Sequence, residues 1–237
     1  RFNGAAVQKL LTKLKMPDDL PLESKVVARE IQSAQTQVEQ QNFEQRRNVL
    51  QFDEVLNQQR TVVYDARRRI LNGENVKDRV LHMLREVVVA YVAAATFDRK
   101  PGNWDLDGLW TALKTLYPVG LDRSELARPE RKHLTRLDLL DVILPDAERA
   151  YADRESEVGE DAMRRLERGV LLDVIDRRWR NHLYEMDYLK AGIGLRAMAE
   201  RDPVVEYRRE GFDMFVGMVE RVAEECVEKL FTTAVRD

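Results

Sequence analysis

Along the first third of the chain one line of positions advances in steps of three and four: Ile31, Ala34, Val38, Gln41, Gln45, Val49, Phe52, Leu56, Gln59, Val63, Ala66 and Ile70. Most are apolar, and the spacing is that of one face of an α-helix. No Gly or Pro interrupts residues 24–71, so the pattern predicts a single helix from about Lys25 to Leu71, about 70 Å long at 1.5 Å per residue. Asn72-Gly73 is its expected stop. A helix of that length is too long to be enclosed by a domain of this size, and is expected to act as a beam bridging several packing partners. The Gln positions in its stripe predict partial exposure. A homodimeric coiled coil is the alternative, but three Gln and a four-four step break a regular heptad.

A second helix is predicted over Val76 to Thr96, with Val80, Leu84, Val87, Val88, Tyr91 and Val92 on its apolar face. The turn cluster Asp98 to Asn103 ends it. Trp104, Leu106, Leu109, Trp110, Leu113 and Leu116 then supply a short helix, closed by Tyr117-Pro118-Val119-Gly120. After a polar stretch to Leu134, Thr135 is a plausible cap of another short helix, and Pro145 suits the first turn of a further one. This middle third reads as a separate lobe.

In the final third Met163, Leu166, Val170 and Val174 form one line and Leu171, Ile175, Trp179, Leu183 and Met186 its neighbour, one broad face that needs two partners. The pattern falters at Gly192-Ile193-Gly194 and resumes at Asp202-Pro203, a capping residue followed by a first-turn proline. Val204, Tyr207, Gly211, Phe215, Met218, Val222, Cys226 and Leu230 give the returning arm of a helical hairpin. The expected class is all-α: a long scaffold helix packed with a C-terminal antiparallel hairpin, plus a small helical lobe or wing.

The chain has 237 residues, 44% hydrophobic and 34% charged, enough for a substantial core and unlike a disordered segment. Its 39 Lys and Arg against 42 Asp and Glu leave a net charge of −3, which offers no global attraction for nucleic acid or an anionic membrane. The single Cys226 excludes an internal disulfide and a multi-cysteine zinc site, and it suits a reducing compartment. No apolar run approaches the roughly 20 residues needed to span a bilayer. The start at Arg1, without Met or a targeting pattern, is expected of a fragment of a longer protein.

No Gly is followed by Lys, so a phosphate-cradling Gly-Lys-Ser/Thr loop is excluded. Gly192 to Ala197 formally matches G-x-G-x-x-A, but it follows a helical pattern rather than a buried strand; a relaxed hairpin tip is the expected role of the glycines. His82, His133 and His182 lie far apart and lack ligand-spaced partners, so neither metal binding nor His catalysis is expected. Asp53-Glu54 and Glu224-Glu225 are expected in solvated ion pairs. Arg67-Arg68-Arg69 and Arg177-Arg178-Trp179-Arg180 could serve a nucleic acid, yet acidic neighbours and the net charge favour faces that pair with protein domains. No catalytic residue, bound cofactor or metal is therefore expected in this chain.

The segments Asn42 to Val55 (NFEQRRNVLQFDEV) and His182 to Arg196 (HLYEMDYLKAGIGLR), continued by Asp202 to Phe215, resemble the SecA family, the motor ATPases of bacterial preprotein translocation. In weaker form the likeness covers essentially the whole chain. It implies that residues 1–22 leave the second nucleotide-binding domain, 23–72 form the long scaffold helix, 73–159 the helical wing and 160–237 the scaffold return with a two-helix finger. Phe43, Arg47, Phe52, Leu56, Trp179 and Leu183 would be interdomain scaffold positions. Gly192, Ile193, Gly194, Leu195, Arg196 and Met198 would form the fingertip that contacts polypeptide and the SecY channel. Family members commonly carry a bulky residue, often Tyr, where this chain has Met198, and the flexible thioether suits promiscuous apolar contact. The wing looks compressed between about Asp122 and Glu160, and a Cys-rich zinc tail is absent.

The implied partners are the parent's nucleotide-binding and preprotein-binding domains, the SecY channel and unfolded preprotein; a second copy of the parent is also allowed, and nucleic acid is not a partner. ATP and Mg would belong to motor domains outside this chain. The parent would be cytoplasmic, peripherally associated with the inner face of the bacterial plasma membrane. The rival reading is a stand-alone helical adaptor or coiled-coil dimerisation module.

Overall fold

The computed structural model describes residues 25–98, 100–122, 134–196 and 202–234. They form α1 (Lys25–Leu71), α2 (Lys77–Ala95), a 3-10 turn at Pro101–Asn103, α3 (Leu106–Leu116), α4 (Arg136–Val158), α5 (Glu160–Arg196) and α6 (Pro203–Thr232). The all-α class holds, with no strand among the described residues. Two compact units divide the chain at 54/55, so the division falls inside α1.

In the first unit, the described part of α1 is largely solvent-exposed, including Ile31, Val38, Val49, Leu50 and Phe43, the last 64% exposed. The C-terminal end of α1 lies in the second unit and stops as expected. The Gly73 amide donates to Ile70 O and the Glu74 amide to Arg69 O, with Gly73 at φ +82°. These two bonds make a Schellman motif, which needs a left-handed residue just past the helix. A Cβ on Gly73 would meet nothing within 4 Å, so any cost of adding one comes from the backbone alone. Gly73→Ala is expected to lower stability by about 1 kcal/mol, measurable as a shift in the urea midpoint; an unchanged midpoint would contradict the motif's role.

One apolar cluster holds the second unit together. It runs from Val63 and Ile70 on α1 through Val80, Leu84 and Val88 on α2, Leu113 on α3, Ile143 on α4 and Leu171 and Val174 on α5 to Cys226 and Leu230 on α6. The middle third therefore shares its core with the hairpin instead of forming the separate lobe that sequence punctuation suggested. Turn residues mark where the chain reverses, and they do not report which apolar faces later meet.

Local signals place the other helix starts. Thr135 caps α4: the Asp138 amide donates to Thr135 Oγ1, and the Thr135 amide returns a bond to Asp138 Oδ2 at 2.9 Å, a capping box. Asp202 accepts from the Val204 amide ahead of Pro203. Pro145 departs from expectation, for it sits inside α4 rather than opening a new helix. The missing proline N–H costs one helical bond, but Ile143, Asp146 and Ala147 are all buried around it, and that packing carries the helix through. Gly159, at φ +89°, ends α4 and accepts the Met163 amide bond that opens α5.

Candidate functional site

The hairpin of α5 and α6, with the C-terminal part of α1 laid on it, gathers the polar side chains that organise the second unit. On all three helices the same order recurs. Val63, Trp179 and Met218 belong to the main apolar cluster. Val55, Met186 and Tyr207 are buried outside it. Between these two apolar layers lie Gln59, His182 and Gly211. Gln59 Nε2 donates to Gly211 O at 2.9 Å, and Gln59 Oε1 lies 2.8 Å from His182 Nε2.

Because the Gln59 amide N–H is directed to a main-chain carbonyl, its oxygen must face the imidazole, and Nε2 of His182 must donate. His182 Nδ1 is then the unprotonated nitrogen, buried and without a hydrogen-bond partner. Burial holds the His182 pKa below its ordinary value, opposed by Glu185 and reinforced by Arg221. The ring sits between Trp179 and Phe215, with centroids 5.6 and 5.7 Å away. His182 is thus a packing histidine, as its isolation in sequence suggested. Gln59, expected to be partly exposed, is only 7% exposed. The cause is simple: the oxygen and nitrogen of its amide find partners 123 and 152 residues away in sequence, which removes the penalty for burying them. Gly211 leaves room for Met186 on α5, since a Cβ there would lie 2.7 Å from Met186 Cε.

Charged pairs tie the same helices together. Arg67 Nε and Nη2 reach Asp176 Oδ1 and Oδ2 at 2.9 and 3.3 Å. Arg177 and Arg178 both pair with Glu225, and Lys229 Nζ lies 2.8 Å from Asp173 Oδ2. Burial opposes ionisation of Glu225, but the two guanidinium groups hold its carboxyl below the usual range. Arg177 and Arg178 are therefore engaged within the chain, and Trp179 is buried.

The expected fingertip is only partly described. α5 continues through Gly192 and Gly194 to Arg196, so the glycines do not form the relaxed tip expected of them. Two helical glycines cost about 1 kcal/mol each, offset here by burial of Leu189 and Ile193 on either side of Gly192. Ile193 is buried and is not the exposed loop contact anticipated. Gly194, Leu195 and Arg196 lie in the last turn of α5, and Met198 lies outside the described residues, as does His133. Among the scaffold positions, Phe43 and Arg47 are exposed in the first unit and Phe52 is half-buried there. In the second unit Leu56 and Leu183 are half-buried and Trp179 is buried. Sequence reasoning missed the exposed apolar residues of the hairpin: Tyr184 and Tyr188 on α5 and Val205, Phe212, Val216 and Val219 on α6. Steps of four on α5 and of seven, four and three on α6 were the signal.

Among the described residues no group of three or more His, Cys, Asp or Glu could hold a metal ion. Burial pushes the Cys226 thiol up to about 12, so it stays protonated and unreactive near neutrality. Gly192 and Gly194, being helical, provide no loop of free backbone amides for a phosphate.

Comparison with known proteins follows the same lines. The family model for the SecA wing and scaffold domain matches residues 21–234. The chain is 63% identical over 99% of its length to "Protein translocase subunit SecA 1" of Mycobacterium bovis (strain BCG / Pasteur 1173P2) and of Mycobacterium tuberculosis (strain ATCC 25618 / H37Rv). The protein of the same name from Mycolicibacterium smegmatis is 61% identical over the same share. In each case the chain spans 26% of the relative's length. A family match over nine-tenths of the chain, carried by the helices just described, establishes that it belongs to the SecA wing and scaffold domain family.

Proposed function

We propose that this chain is the mechanical coupling element of a SecA motor, carrying ATP-driven movement of domains outside it to a polypeptide entering the SecY channel. The observation that supports this most is α1. It is one continuous helix, with an exposed apolar surface in the first unit, while Gln59 and Arg67 fix its later turns to the hairpin in the second. A helix transmits displacement along its axis because each turn is hydrogen-bonded to the next. Its open apolar residues Phe43, Val49 and Leu50 suit docking of the parent's nucleotide-binding and preprotein-binding domains.

In this reading the hairpin is the two-helix finger. With Ile193 buried, its apolar contact surface consists of Tyr188, 80% exposed, with Val205 and Phe212, flanking the segment that holds Met198. Exposed aromatic and branched side chains provide sequence-tolerant contact with an unfolded chain. In this reading ATP and Mg belong to the parent's motor domains. Among the described residues no helix is long and apolar enough to cross a membrane. In this reading the parent works in the cytoplasm, peripheral to the inner face of the bacterial membrane. Along the sequence, Gly73 and Gly159 mark the passage from scaffold helix to wing and from wing to finger, although all three contribute to one core.

The test is photo-crosslinking from positions 188, 198 and 205, with this region in its full-length parent, during translocation of a labelled preprotein into membrane vesicles. ATP-dependent adducts to preprotein or channel are expected from all three. Absence of adducts while translocation proceeds would reduce the hairpin to a passive brace. A purified 237-residue chain that binds ATP by itself would also contradict the assignment.

A further inference from the structure

A groove of about 560 Å³ runs between the last turns of α1 and the middle of α5, lined by residues that include Tyr64, Arg68, Leu71, Trp179, Arg180 and Leu183. Tyr64, Arg68 and Leu71 recur at steps of four and three, and so share one face of α1; on α5, Trp179 and Arg180 lie four and three residues before Leu183 and border the groove with it. The Arg67–Asp176 pair crosses between the two walls. Tyr64 and Leu71 are exposed large hydrophobics. Arg68 and Arg180 stand one on each wall, exposed, and neither has an ion-pair partner among the described residues. Every residue of the groove lies within the second unit.

We infer that this groove is a docking site for an acidic polypeptide segment that also carries bulky apolar side chains. The apolar lining provides contact area, and the two arginines provide charge-assisted hydrogen bonds that a carboxylate accepts. An otherwise acidic chain, at net charge −3, makes such a local basic pair selective, since acidic segments are repelled elsewhere and drawn here. The occupant lies outside the described residues. The internal segment 123–133, outside the described residues, carries four Arg and Lys against two Glu and has the wrong sign to fill the groove. This inference does not rest on the motor reading above.

The probe is a fluorescently labelled twelve-residue peptide built from Glu-Leu-Leu-Glu blocks, titrated with the 237-residue chain at low salt and followed by anisotropy. Arg68→Glu/Arg180→Glu is expected to weaken binding about tenfold or more. Arg60→Glu/Arg208→Glu makes the same change in net charge at exposed positions outside the groove, and is expected to bind as the parent sequence does. Equal binding by both variants, no binding by the unaltered chain, or equal binding of a matching Lys-Leu-Leu-Lys peptide would each overturn the proposal. So would tighter binding of a short single-stranded RNA at the same site. Circular dichroism of both variants, expected to be unchanged, separates loss of the site from loss of the fold.

Discussion

Arg164→Ala is expected to destabilise the helical unit by about 3 kcal/mol or more, the cost of leaving a buried charge without its partner. Glu167 on α5 is 0% exposed, and Arg164 Nη2 lies 3.2 Å from its Oε1. The same guanidinium pairs with Glu155 and donates to the Tyr151 hydroxyl at 2.8 Å, while that hydroxyl donates to Glu167. Lys77 completes the group with a 2.6 Å contact to Glu155. Without Arg164, the buried Glu167 carboxylate retains a single hydroxyl donor, from Tyr151.

The effect depends on pH with a definite sign. Burial raises the Glu167 pKa above the ordinary carboxylate value, while Tyr151 and Arg164 pull it down. Between those two values the folded state binds more protons than the unfolded state, so stability falls as pH rises through that window. Removing Arg164 deletes a lowering influence and extends the window upward. Urea unfolding should therefore show a larger Arg164→Ala penalty at pH 7.5 than at pH 5. Glu167→Gln, which keeps an acceptor for Tyr151 without a titrating charge, should lose this pH dependence. A penalty below about 1 kcal/mol, or one equal at both pH values, would show that the cluster is solvated and not buried.

The second large effect is expected at Gln59. Gln59→Leu removes the acceptor of His182 Nε2–H and the donor to Gly211 O, leaving a buried imidazole with no partner at either nitrogen, at a cost of about 2 kcal/mol. Replacing both partners, Gln59→Leu/His182→Leu, should recover much of that loss, because no unsatisfied polar group remains. The double variant should nevertheless give broadened side-chain methyl signals in NMR spectra. A polar layer between apolar layers fixes the register of packed helices, and an all-apolar seam does not.

His182 also contributes a term of opposite sign to that of Glu167. Its folded pKa is depressed by burial, so below the ordinary histidine value the unfolded state binds more protons, and acidification favours unfolding. The slope of stability between pH 6.5 and 5.5 should be reduced in His182→Gln. An identical slope would show that His182 does not titrate differently in the two states. Recovery absent in the double variant would refute the paired-partner account.

What could be read from sequence was local. The long apolar line with no Gly or Pro between Lys25 and Leu71 dictates α1, and Asn72-Gly73 ends it, because helix period and left-handed glycine caps are properties of a few adjacent residues. Thr135 before Asp138, and Asp202 before Pro203, mark helix starts for the same reason. The family likeness was legible in the two long motifs, since they preserve order as well as composition.

The rest was decided by tertiary structure. Pro145 and Gly192 should each interrupt a helix on propensity alone, and neither does, because buried neighbours such as Ile143 and Ile193 outweigh a loss of a few kcal/mol at most. Gln59 reads as a solvent-facing interruption of its stripe until His182 and Gly211 are brought against it from more than 120 residues away. Arg68 and Arg180, separated by more than a hundred residues, become the two walls of one groove only when α1 lies along α5. Helix formation depends on neighbours within four residues, whereas the burial of a polar group depends on partners that only the folded chain supplies, so the elements were legible in advance and the sites between them were not.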